Sequence, residues 1–125
     1  MKHINTDLAP KAIGPYSHAV VVNNMVYTSG QVAMNPETNE LINSGVGDET
    51  HQVMKNLEAI LKEAGTSFDK VVKATIFLKD LSSFPIVNEI YGSYLTEGAY
   101  PARETVEVAR LPRDVNVEIS MIALI

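Results

Sequence analysis

The chain has 125 residues, no cysteine, ten Lys and Arg against fifteen Asp and Glu, and a formal charge of −5. That length favours one domain with a core that needs no staples. Disulfides, thiolate metal sites and a thiol nucleophile are excluded, and the acidic balance argues against a general affinity for nucleic acid.

No apolar run approaches the roughly 20 residues of a membrane span, and the first residues lack a secretory apolar stretch. A soluble cytoplasmic protein is expected. With 46% hydrophobic and 20% charged residues, the chain is apolar for a small monomer, which points to a subunit interface.

Residues 1–15 hold Pro10 and Pro15 and read as irregular chain. Residues 18–22 and 25–29 are β-rich, and Asn23-Asn24 between them suits a type I′ hairpin because asparagine tolerates positive φ. Gly30 permits a bend or a close backbone approach, residues 31–34 are expected to continue as a short strand, and residues 35–39 form a turn. Residues 48–64 are a helix: Val53, Leu57, Ile60 and Ala64 recur at helical spacing, and Gly65 follows as a cap. Residues 71–79 are β-branched and apolar, as in a central strand covered on both faces.

A second helix starts at Ser82 or Ser83, with Pro85 in its first turn, and presents Phe84, Val87, Ile90, Tyr91, Tyr94 and Leu95 before Gly98 ends it. Two strands then follow, joined by a turn at Leu111-Pro112-Arg113-Asp114. The first opens with Arg103. The second alternates Val115, Val117, Ile119 and Met121 on one face, with Glu118 on the other. The order predicts a single α+β domain over residues 1–125, a mixed sheet with hairpins at both ends and both helices on one face. The bare face again points to an oligomer.

Arg103 has two readings: a surface arginine paired with Glu104 or Glu107, or a bidentate clamp for a carboxylate. Glu118 is either part of a solvent-facing polar stripe with Asn116 and Ser120, or a half-buried carboxylate that orients water or moves a proton. Tyr16, after Gly14-Pro15, stands where a phenol can lid a pocket. Ser29 and Gly30 offer a hydroxyl and an accessible N–H. His3, His18 and His51 form no metal constellation, Gly45-Val46-Gly47 lacks the rest of a phosphate-binding motif, and the methionines read as core filler.

These stretches together resemble the Rid (YjgF) family of reactive-intermediate deaminases over essentially the whole length. The matching segments are Ala12-Ile13-Gly14-Pro15-Tyr16-Ser17, Thr28-Ser29-Gly30-Gln31, Val87-Asn88 with Tyr91, Pro101-Ala102-Arg103, the run from Val106 to Pro112, and Val117-Glu118-Ile119. The resemblance implies a fold like that of bacterial chorismate mutase, a homotrimer with clefts between subunits, and no cofactor and no metal. It implies hydrolysis of 2-imino acids such as 2-iminobutanoate and 2-iminopropanoate to 2-keto acids and ammonia. On it, Arg103 binds the substrate carboxylate, Glu118 positions water, Tyr16 closes the cleft, and Ser29, Gly30 and Thr105 help hold the ligand. Thr105 stands where several members have cysteine. Glu104 places a carboxylate beside Arg103 that is expected to compete for it. A non-catalytic module that binds small carboxylic acids is the alternative, and RNA cleavage, ascribed to some relatives, fits poorly with the acidic charge.

Overall fold

Asn23 and Asn24 both adopt left-handed backbone conformations, with φ of 51° and 59°, and this turn joins the first two long strands as the asparagine pair predicts. In the computed structural model, which describes residues 1–125, the strands are β1 (Lys2–Ile4), β2 (Ala19–Val22), β3 (Met25–Thr28), β4 (Val71–Leu78), β5 (Ala102–Glu107) and β6 (Val117–Leu124). The helices are α1 (Val46–Glu63) and α2 (Phe84–Ser93). One mixed sheet takes the order β1-β2-β3-β6-β4-β5. Only β4 and β5 run parallel, linked by the α2 crossover.

The core lies between the helices and one face of the sheet. Val53, Leu57, Ile60 and Leu61 of α1 and Val87 and Tyr91 of α2 are buried with Ile76 and Leu78 of β4 and Val117, Ile119 and Met121 of β6. Both helices thus occupy the same face, as expected. The opposite face leaves Tyr27, Val72 and Val106 exposed.

Several expectations need correction. The last two strands are not a hairpin: β6 lies between β3 and β4, and β5 is the edge strand beyond β4. Composition explains this, because β6 buries Val117, Ile119, Met121 and Ala123, whereas β5 carries Arg103, Glu104 and Glu107, charges suited to an edge. The intervening Pro112–Asp114 turn holds Arg113 and Asp114 both at φ 56°. Residues 31–34 form no strand, only isolated bridges from Gln31 to Ile119 and from Met34 to Leu41. Strand β4 is covered on one face only, with a register shift at Val71/Lys73 that turns Val72 outward. Helix α2 stops at Ser93, five residues before Gly98, and residues 2–4, read as irregular, pair with β2.

Candidate functional site

The alternation of β6 sends Glu118 to the face away from the helices, opposite Phe77 of β4. There it lines a cleft of about 530 Å³ together with Tyr16, Ser29, Gly30, Gln31, Lys11 and Arg113. Four of the residues expected at a ligand site thus meet within one chain: Tyr16, Ser29, Gly30 and Glu118. The Glu118 carboxylate is half-buried, has no ion-pair partner, and is pushed above the usual carboxylate range by that burial alone. A carboxylate so placed holds a proton more readily than a surface glutamate and is suited to proton exchange with water or a leaving amine.

Gly30 explains how Glu118 comes to lie where it does. A Cβ on residue 30 would stand 2.5 Å from Glu118 Oε2 and 2.8 Å from its Cδ, so the missing side chain is the space that the carboxylate fills. The Gly30 N–H makes no hydrogen bond within the chain, which leaves a donor free at the cleft wall. Ser29 is more committed. Its Oγ donates to the Ser17 carbonyl at 2.6 Å and its N–H to the His18 carbonyl at 2.9 Å, so toward a ligand its hydroxyl can only accept. Tyr16 is exposed at the rim.

Arg103 and Thr105 lie elsewhere. In the parallel register of β5 with β4, Arg103 sits beside Ala74 and Thr105 beside Ile76, both on the helix-covered face. Arg103 and Glu118 are therefore on opposite faces of the sheet, with β4 between their strands. No site within a single chain therefore holds both side chains. Arg103 pairs with neither Glu104 nor Glu107. It donates to Asn88 Oδ1 of α2 at 2.6 Å, and its guanidinium lies 5.2 Å and 5.3 Å from the ring centroids of Phe84 and Tyr91. Glu104 points to the other face, where Thr75 donates to it at 2.9 Å and Lys73 lies at 3.2 Å. Those two bonds hold its carboxyl below the usual range, so Glu104 does not compete for Arg103.

An arginine stacked on two rings and steered by one amide keeps most of its five donors for an anion. Beneath it are two orphaned hydroxyls: the buried Tyr91 OH and Thr105 Oγ1 have no hydrogen-bond partner. Desolvation pushes the Tyr91 phenol up, against the pull of Arg103.

Sequence reasoning missed three residues. Asn88 fixes Arg103. Glu49, buried on α1, accepts from the Asn116 N–H at 3.1 Å and from its Nδ2; it anchors the start of β6 two residues before Glu118. Asn116 is accordingly no mere surface residue. His18 is buried, and its carbonyl accepts from the N–H of Ser29, a cleft residue. Glu49 carries a faint signal, since it falls on the apolar side of α1 near Val53, but no spacing rule announces the other two.

Comparison with known proteins gives a consistent picture. A family model described as Endoribonuclease L-PSP matches residues 6–125. A RutC family protein of Synechocystis is 48% identical, covering 100% of this chain and 97% of its own. The 2-iminobutanoate/2-iminopropanoate deaminase of Mus musculus is 50% identical, covering 98% of this chain and 90% of its own. Among solved structures, E. coli TdcF with bound serine superposes with a TM-score of 0.93 at 41% identity, covering 100% of this chain and 99% of that one.

Proposed function

The chain belongs to the Rid (YjgF, L-PSP) family, and from that premise we propose that it hydrolyses 2-imino acids, such as 2-iminobutanoate and 2-iminopropanoate, to 2-keto acids and ammonia. The observation that carries this reading is the Glu118 cleft: an unpaired, half-buried carboxylate beside a free backbone N–H and a rim tyrosine. Deaminases at 47–50% identity support the same chemistry. A protonated imine is already electrophilic, so the protein has to hold it, deliver water to C2 and pass a proton to the departing nitrogen. Glu118 takes the proton from water and returns it to the amine. Tyr16 covers the bound imine, the Gly30 N–H and Ser29 hold it, and Arg103 clamps its carboxylate with Thr105 alongside.

Because Arg103 and Glu118 lie on opposite faces within one chain, this assignment requires a second copy. The Arg103 edge of one subunit meets the Glu118 cleft of the next, as in a closed homotrimer. The exposed Tyr27, Val72 and Val106 on the bare sheet face supply apolar area for such contact.

The test has two arms. Adding the protein to a threonine dehydratase reaction should speed keto-acid release, and Arg103→Ala and Glu118→Ala should each abolish the effect. Co-refolding the two inactive variants should then restore activity at about a quarter of the sites, since random association pairs intact residues across some interfaces. No recovery in a mixed oligomer would place the whole site within one chain and sink the shared arrangement. Tight binding of small acids without turnover would instead favour a binding module. RNA cleavage that follows the cleft variants would overturn the imine reading despite the charge of −5.

A further inference from the structure

His18 is the one buried imidazole, 3% exposed, and no step above uses it. It precedes β2 by one residue and lies at the floor of a depression walled by Asn5, Thr6, Asp7, Lys11 and Glu63. Its two nitrogens do opposite work. Nδ1 lies 3.1 Å from the Thr6 amide, which can only donate, and Nε2 lies 2.7 Å from the Pro10 carbonyl, which can only accept. That pair of contacts selects the neutral ring with its proton on Nε2.

The main chain of His18 adds two more stitches, donating to Asn5 Oδ1 at 3.2 Å and accepting from Ser29 N–H at 2.9 Å. Between these anchors, residues 6–17 contain no helix or strand, yet they supply Pro10, Lys11, Ile13 and Tyr16 to the cleft. A long loop without a ladder of its own owes its shape to such side-chain ties.

We infer that His18 is a positioning residue for the cleft: its neutral ring latches residues 6–17, and so Tyr16, onto the sheet, and a second proton undoes the latch. Protonation replaces the lone pair facing the Thr6 N–H with another N–H, so donor meets donor. The charged groups facing the ring are Asp7 and Lys11 of the same segment and Glu63 of α1. His3 of β1 contacts Ser17 instead. None of these forms an ion pair with the imidazole that would hold it in the charged form.

The test compares wild type with His18→Gln and His18→Leu from about pH 8 to pH 5, the span in which histidine acts as a switch. Glutamine keeps one donor and one acceptor but gains no proton. Hydrogen exchange, corrected for the intrinsic pH dependence, should show wild-type protection of residues 6–17 falling about tenfold on acidification, the equivalent of one hydrogen bond. His18→Gln should stay protected throughout, and His18→Leu should be unprotected at both ends while the sheet remains protected. Identical profiles for wild type and His18→Gln would overturn the inference, and that comparison stands even if His18→Leu fails to fold. Keto-acid release measured alongside rests on the imine reading and should track the protection. A protein with no turnover would defeat that reading while the exchange data still judged the latch.

Discussion

Gly30→Ala is the sharpest probe of the cleft, because the perturbation has a single direction. Gly30 is not among the glycines at positive φ, so the backbone accepts alanine, and the three atoms nearest the new methyl all belong to Glu118, at 2.5 Å for Oε2, 2.8 Å for Cδ and 3.0 Å for Cγ. Restoring an ordinary carbon–carbon separation of about 3.5 Å moves Cδ by roughly 0.7 Å. The part that moves is the free end of a half-buried side chain, so the stability cost should sit at the low end of overpacking, about 1 kcal/mol. A misplacement near 1 Å at the group that handles water costs about 10²-fold in rate. Keto-acid release should therefore fall by about that factor while the melting temperature drops only a few degrees. A double-mutant cycle read in melting temperature isolates the cause: in a Glu118→Ala background the methyl has room, and Gly30→Ala should cost almost no further stability. Wild-type kcat/KM in Gly30→Ala, or an equal drop in melting temperature in the Glu118→Ala background, would refute the account.

Two further outcomes follow from charge and burial. Burial raises the Glu118 pKa, so the folded state binds that proton more tightly than the unfolded chain does. The group favours folding below the ordinary carboxylate range and opposes it once pH rises through the raised value. Glu118→Gln should accordingly melt higher than wild type at pH 7, match it in acid below that range, and lose turnover; a lower melting temperature at pH 7 would contradict the burial argument. Tyr91→Phe removes a buried hydroxyl with no partner, so thermal or denaturant unfolding should show unchanged stability or a gain of about 1 kcal/mol, and a loss above about 1 kcal/mol would mean that the hydroxyl is bonded after all.

Much of the architecture was legible in the residues. The asparagine turn, the periodicity of α1 and the alternation around Glu118 each report a local preference that the fold keeps. Strand order was not legible, because a turn at Leu111–Asp114 looks the same whether the flanking strands pair or separate; the clue was the contrast between a charged β5 and an apolar β6. The side of the sheet taken by Arg103 depends on the β4–β5 register, which no residue near Arg103 encodes. Residue pattern and family resemblance both singled out Arg103 and Glu118, whereas only the fold puts them on opposite faces. In the sequence His18 stands only as one of three scattered histidines, because a buried imidazole tied to two backbone groups leaves no pattern there.

The position of β6 also governs how the molecule comes into being. It is the last of the eight elements in the chain, yet it is the middle of the sheet, and β1-β2-β3 shares no hydrogen-bonded edge with β4-β5 until β6 is inserted. A nascent chain that has emerged only as far as β5 carries two separate ribbons, with α1 lacking the strand it packs on most. The part of its apolar face that β6 covers stays open through that interval. Such a topology postpones cooperative folding until the final strand is made and lengthens the loops that must close. The same eight residues that carry Glu118 into the cleft thus join the two halves of the sheet.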